Sequence, residues 1–313
     1  MEVLFMTHEQ YLKNLSVPTG RVDVILDTDA YNEIDDQFAI AYLLRSGDKA
    51  NLLGLCAAPF LNERSQSPED GMEKSYQEIM KLLRLADRED MLPHVYRGSC
   101  RYLPDEQTWV DSPAARYIVK EALAHTPENP LYVVAIGAIT NVASALLMEP
   151  AIKENVVIVW LGGHGHHLAR NDEFNLVQDI AAARVIFGCG APVVQLPCNG
   201  VVTHFAASRY ELEHWLLGKS DLCTYLVENT VEAAESYAAG QPWTRIIWDV
   251  TAVAWLLDRD GSFMDSDLRP SPIPEYDNRY AFDQGRHLIR YVTRVYRDEL
   301  FADLFAKLTS DPV

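Results

Sequence analysis

Five carboxylates crowd one ten-residue stretch: Asp27, Asp29, Glu33, Asp35 and Asp36 in DTDAYNEIDD. At that spacing they repel one another, which costs stability unless a cation or an organised set of donors offsets it. A helix start would favour one or two of them, Asp35 or Asp36, through capping and the helix dipole. Five acids beside an apolar strand exceed what capping explains, and hard cations take several oxygen ligands at once. The residue types therefore predict a hard-cation site.

The elements around the stretch must hold it in place. Val22, Val24, Ile25 and Leu26 read as a short buried strand, and Phe38 to Leu44 as a helix that begins near Asp35. The acids thus fall at the carboxyl end of a strand. Further apolar runs predict strands at Asn51 to Ala58, His94 to Tyr96, Leu131 to Ile136, Val156 to Leu161, Val193 to Leu196 and Leu288 to Val295. Between them, helical spacing runs over His8 to Leu15, Gly71 to Leu85, Val142 to Leu147, Asp179 to Phe187, Arg209 to Leu217, Leu222 to Ala239, Asp249 to Leu257 and Leu300 to Leu308. Ser112 and Pro113 read as the cap and first turn of another helix, through Leu123. Uninterrupted apolar strands alternating with helices predict one α/β domain over 1–313, a doubly wound, mostly parallel sheet flanked by helices. In such sheets ligands bind beyond the carboxyl ends of the strands, where the acids lie.

Composition narrows the function. Of 313 residues, 48% are hydrophobic, enough for a large core. Asp and Glu outnumber Lys and Arg by 45 to 27, a net charge of −18, so approach to nucleic acid or an anionic membrane would begin with repulsion. The odd set Cys56, Cys100, Cys189, Cys198 and Cys223 contains no CxxC and fits reduced thiols in the cytoplasm. MEVLFMTHEQYLKNL lacks a basic region followed by an apolar run, so no leader is expected, and no transmembrane span either.

Four segments converge on a pattern: DTDAYNEIDD, AIGAITNVASAL, GGHGHHLARNDEFNLVQDIAAA and IIWDVTAVAWLLD. Together they resemble the inosine–uridine-preferring nucleoside hydrolases, which use calcium to cleave the N-glycosidic bond of ribonucleosides. The likeness runs from about Val22 to the final strand and helix. It implies Asp29 as calcium ligand and base for the attacking water, with Asp36, Asp249 and the backbone carbonyl of Thr140 as further ligands. It also implies that Asp35, Glu173, Asn175 and Asn62 hold ribose hydroxyls, while Asp27 supports the ligands from behind. A small-molecule ribonucleoside would be the partner, in a homodimer or homotetramer serving nucleoside salvage.

Three features depart from the family pattern. The acidic loop usually reads DxDPGxDD; here Ala30 to Ile34 make it two residues longer and remove the Pro-Gly turn. Where many members carry Asn, six residues before the EFN glutamate, this chain has His167. It is read as a substrate contact, with a solvated loop or a metal cluster of His164, His166 and His167 as the alternatives. Trp248 stands before the last calcium aspartate, where a histidine acid is usual. It is read as a catalytic residue that stacks on the departing base, a tryptophan that purine-preferring members share, so purines are expected. Core packing is the competing reading for Trp243, Trp248 and Trp255 alike.

Two other functions compete. A DxD after a strand also suits a magnesium-dependent phosphotransferase or phosphohydrolase with an aspartyl nucleophile, although that leaves EFN and WD unexplained. The altered loop and missing histidine also fit a non-catalytic binder of calcium or nucleosides.

Overall fold

The computed structural model describes residues 6–310. The first residues of the stretch read for a leader, 1–5, lie outside it. The strands are β1 (Val22–Thr28), β2 (Ala50–Ala57), β3 (Val95–Arg97), β4 (Leu131–Ala135), β5 (Val156–Leu161), β6 (Val193–Leu196), β7 (Ala206–Ser208), β8 (Thr244–Ile246), β9 (Met264–Pro270), β10 (Ile273–Glu275), β11 (Arg279–Ala281) and β12 (Leu288–Val295). The α-helices are α1 (His8–Asn14), α2 (Asp35–Leu44), α3 (Pro68–Leu85), α4 (Pro113–Leu123), α5 (Thr140–Met148), α6 (Phe174–Gln178), α7 (Ile180–Gly188), α8 (Arg209–Leu216), α9 (Asp221–Ala238), α10 (Val250–Leu257) and α11 (Arg297–Thr309). None is long and apolar enough to cross a membrane, among the described residues.

Eight strands form one sheet in the order β3-β2-β1-β4-β5-β6-β12-β9, parallel throughout except for β9, which runs antiparallel to β12. Successive strand residues feed two cores. Val24 and Leu26 of β1 pack with Phe38 of α2, Leu82 of α3 and Trp255 of α10 on one face. Ile25, Val133 and Ile158 pack with Ile118 of α4, Val142 of α5 and Ile186 of α7 on the other. Burial on both faces is why these strands carry apolar runs rather than alternation. Ser67, Ser112 and Ser220 cap α3, α4 and α9 by accepting the amide protons of Asp70, Ala115 and Cys223.

The order contains the feature that makes a site. From β1 the chain moves outward to β2 and β3, then returns to place β4 on the other side of β1. The crevice between the carboxyl ends of β1 and β4 is the point where the winding reverses, and open α/β sheets bind ligands there. The doubly wound fold expected from the sequence is the one observed. Strand β9 and the ribbons β7–β8 and β10–β11 were not expected. MDSDLRP in β9 alternates charged with uncharged residues and ends in Pro270, the dress of an edge strand, and the ribbon strands are too short to show a period.

Candidate metal and substrate site

Strand β1 ends at Thr28, the chain turns through Asp29 to Ile34, and α2 begins at Asp35. The turn is closed by the Asn32 amide, which donates to the Asp29 carbonyl at 2.7 Å. This brings Asp35 and Asp36 to Asp249, the residue before α10, and carboxylate oxygens of the three lie within 4.8 Å of one another. The Asp249 amide donates to Asp35 Oδ2 at 3.3 Å, and the Thr28 hydroxyl donates to Asp36 Oδ1. Asp29 is fully buried, and neither of its carboxylate oxygens has a hydrogen-bond partner. It lies hard against the chain leaving β4: a Cβ on Gly137 would stand 2.9 Å from the Asp29 carboxyl carbon, so only glycine fits there.

Asp27, two residues earlier and inside β1, is held from behind. The Asn141 amide nitrogen donates to Asp27 Oδ1 at 2.8 Å and to the Ala57 carbonyl at 3.1 Å, tying α5 to β1 and β2. The Thr140 hydroxyl donates at 2.7 Å to Asp179 Oδ2, and Asp179 also accepts the amides of Leu103 and Ala182. This fixes the start of α5 directly beyond β4.

Burial dominates the electrostatics. It raises Asp29, Asp35 and Asp249 well above the usual carboxylate range, and neighbouring carboxylates push each further. Burial moves Asp36 to about 6 and Asp27 to about 7, against the hydrogen bonds from Thr28 and Asn141. Arg245, ion-paired to Glu33 at 2.7 Å, partly offsets the charge on Asp35. Buried anions this close are costly unless paired or bound to a metal. The carboxylates that converge are those of Asp35, Asp36 and Asp249, so Asp35 joins the group while Asp29, its oxygens unpartnered, feels their charge from outside it; the all-oxygen set fits a hard divalent cation.

Asp35 and Asp249 open onto a cavity of about 260 Å³, also lined by Asn32, Glu33, His164, Glu173, Asn175, Asn199 and Trp248. Glu173 caps the short helix α6. Its two carboxylate oxygens accept the amides of Gly163 at 2.7 Å, Asn175 at 2.8 Å and Leu176 at 2.9 Å. The Asn175 side-chain nitrogen donates to the carbonyls of Ile136 and Leu161, both at 3.1 Å, locking its amide between the ends of β4 and β5. Trp248 is half-buried at the cavity, whereas Trp255 is core and Trp243 reaches Glu235.

Two residues singled out in the sequence stand apart from this wall. His167 is exposed and packs against Gly165 and Gly200, and its neighbour His164 lines the cavity instead. His166 is packed among Tyr280, Phe282 and Tyr291, with Nε2 on Gln195 at 2.8 Å, so the three histidines do not converge on a common metal. The Asn62 side chain is spent on its surroundings: its nitrogen donates to Asn32 Oδ1 at 2.6 Å, and its oxygen accepts the Arg64 amide at 2.8 Å. Asn32 faces the cavity in its stead. Sequence reasoning missed Asn32, Asn199 and Arg245, and passed over Glu33 and His164 as cavity residues. The lengthened loop was the signal for Asn32 and Glu33; the position of His164 just beyond β5 was the signal for it.

An α/β sheet with an oxygen-donor crevice at its switch point, walled by an aromatic residue and by amide and carboxylate groups, defines a class of metal-assisted small-molecule site. The family model for inosine-uridine preferring nucleoside hydrolases matches residues 24–283, and the chain belongs to that family. Over 158 residues, 47% of this chain, it is 28% identical to the pyrimidine-specific ribonucleoside hydrolase RihB of Escherichia coli, covering 48% of that protein. A putative pyrimidine-specific ribonucleoside hydrolase RihB from Shigella boydii is also 28% identical, with 62% of its length covered. The chain thus spans about half the length of the curated relatives it matches. Among solved structures, a plant nucleoside hydrolase superposes with a TM-score of 0.73 at 21% identity, over 93% of this chain and 99% of that one. A purine-preferring ribonucleoside hydrolase from Gardnerella vaginalis gives 0.72 at 19% identity, over 92% and 98%. These two likenesses concern the fold.

Proposed function

We propose that the protein hydrolyses the N-glycosidic bond of ribonucleosides with the help of calcium, purines preferred, releasing ribose and free base. The observation that carries this reading is the convergence of the Asp35, Asp36 and Asp249 carboxylates, with Asp35 and Asp249 lining a cavity that also holds Trp248 and with the unpartnered oxygens of Asp29 within reach of their charge. Asp29, Asp36, Asp249 and the Thr140 carbonyl would hold the cation. A bound calcium would supply a Lewis acid that gathers the anionic oxygens, a water and the ribose diol. Asp29 takes the proton of the attacking water, which its unpartnered oxygens leave it able to do. Asp35 and Asn175 engage ribose hydroxyls, and Glu173 fixes the loop that carries Asn175 while turning its charge to the sugar. The anionic walls stabilise positive charge developing at the anomeric carbon. Trp248 offers a flat face to the base, with more contact for a bicyclic purine than for a single pyrimidine ring. The curated relatives are pyrimidine-specific, and uridine cleavage is therefore the second reading.

The test is ribose release from a panel of purified nucleosides, with and without a chelator. Inosine turnover that stops with chelator and returns with calcium is expected. Phosphate release from phosphoesters without ribose release would favour the phosphohydrolase, and tight nucleoside binding without turnover would favour the binder. Free thiols at Cys56, Cys100, Cys189, Cys198 and Cys223 are consistent with action in the cytoplasm.

A further inference from the structure

Trp248 stands before the last acidic residue of the cluster, and an indole N–H is far too weak an acid to hand a proton to a departing base, so that step needs another group in the cavity. We infer that His164 is that group: its imidazole protonates a ring nitrogen of the base as the glycosidic bond breaks. The inference rests on the N-glycosidase reading above.

The chain builds the position of His164 with care. Gly163 turns the chain out of β5 at φ +77, and a Cβ there would lie 1.9 Å from the Tyr280 hydroxyl, so only glycine serves. Its amide is anchored on Glu173, and the next amide, that of His164, donates to Asn171 Oδ1 at 2.6 Å. The imidazole is thereby tied to the same loop that presents Asn175. On the ring, Nδ1 accepts the Asn199 amide at 3.3 Å. Nε2 has the Asn199 side-chain amide at 3.3 Å and Asp172 Oδ1 at 3.8 Å. His164, Asp172, Asn199 and Trp248 line one cavity with Asp249. Burial lowers the His164 pKa and Asp172 opposes that, so the protonated ring is a better acid than a free imidazolium. The charged groups around it are Asp172, itself paired to Arg170 at 3.3 Å, and Glu173, with Glu33, Asp35 and Asp249 lining the same cavity.

The step balances. The electron pair of the C1′–N bond goes to the base, whose ring nitrogen gains the His164 proton. Water oxygen bonds to C1′ and gives its proton to Asp29. Solvent then reprotonates His164 and relieves Asp29.

The experiment measures kcat/KM against pH for wild type and His164→Gln, on inosine and on 4-nitrophenyl riboside, whose leaving group departs without protonation. With His164 as acid, the variant loses about 10²-fold or more on inosine, the low end for a general acid. It should stay within about threefold on the nitrophenyl substrate, and the alkaline limb of the inosine profile should flatten. Asp172→Asn, at an exposed carboxylate, should move that limb to lower pH for inosine alone, because an anion that favours the imidazolium is gone. It also serves should His164→Gln fail to fold. Equal losses on both substrates, or unchanged limbs in both variants, would overturn the assignment while leaving the N-glycosidase reading intact. A wild-type protein that cleaves neither substrate would sink that reading, and this one with it.

Discussion

Asp29, just beyond β1, and Glu173, the cap of α6, are both buried carboxylates, and they could hardly be treated more differently. Glu173 has three backbone amides on its two oxygens, and it caps a helix. Asp29 has no partner on either oxygen and has the charges of Asp36 and Asp35 beside it. Burial raises both, but only for Glu173 do the protein's own donors oppose the rise to a large extent. Glu173 is thus completed by the protein itself. Asp29 requires a partner from outside, which is what a site for a cation and a water needs.

That contrast can be broken by mutation. Asp29→Asn should show the largest effect, a loss of about 10²–10⁴ in kcat, because an amide cannot accept the water's proton. The variant should fold, and in chelator it should melt above wild type, since one uncompensated buried charge is gone. Near-normal turnover in a folded Asp29→Asn protein would refute its role.

Glu173→Gln should behave in the opposite sense for stability. It converts charge-assisted capping bonds, worth roughly 1.5–3 kcal/mol, to weaker ones, and so should melt below wild type with or without calcium. Together with Asn175→Ala it should slow cleavage of all ribonucleosides to a similar degree, read as kcat/KM across the panel. A shift in base preference with unchanged ribose dependence would count against a sugar role for this loop.

Trp248→Ala sharpens the comparison at the far wall, with the smallest effect. A stacked indole contributes about 0.5–2 kcal/mol to a departing, protonated base. The loss on inosine should therefore be modest, independent of pH, and absent on 4-nitrophenyl riboside. Equal losses on the two would make Trp248 a packing residue and remove the main support for purine preference.

The sequence announced the acidic half of the site more clearly than the other half. Crowded acids after an apolar run can be read without knowing the fold, and β5 was legible to the residue because a strand buried on both faces is an unbroken apolar run. The wall beyond β5 was harder. Three histidines in HGHH are alike in sequence, and only their surroundings separate them: His164 on the cavity, His166 among aromatics, His167 outside. The partners of Asn62 and Arg245 are equally invisible, since they come from the loop that departs from the family pattern.

The central claim is that the acidic crevice is incomplete without a hard divalent cation, and melting temperature against pH, in chelator and in calcium, tests it most directly. Each carboxyl here has a folded pKa above its unfolded value, so the folded state binds more protons between the two, and stability falls as pH rises through that window. For Asp36 and Asp27 the window runs from the ordinary carboxylate range, roughly 4, to about 6 and about 7. In chelator the protein should therefore lose stability between about pH 4 and 7, and calcium should restore it, far more at pH 8 than at pH 5. Asp249→Asn should blunt the calcium response. A melting curve indifferent to calcium at pH 8, or a response to zinc alone, would contradict the account.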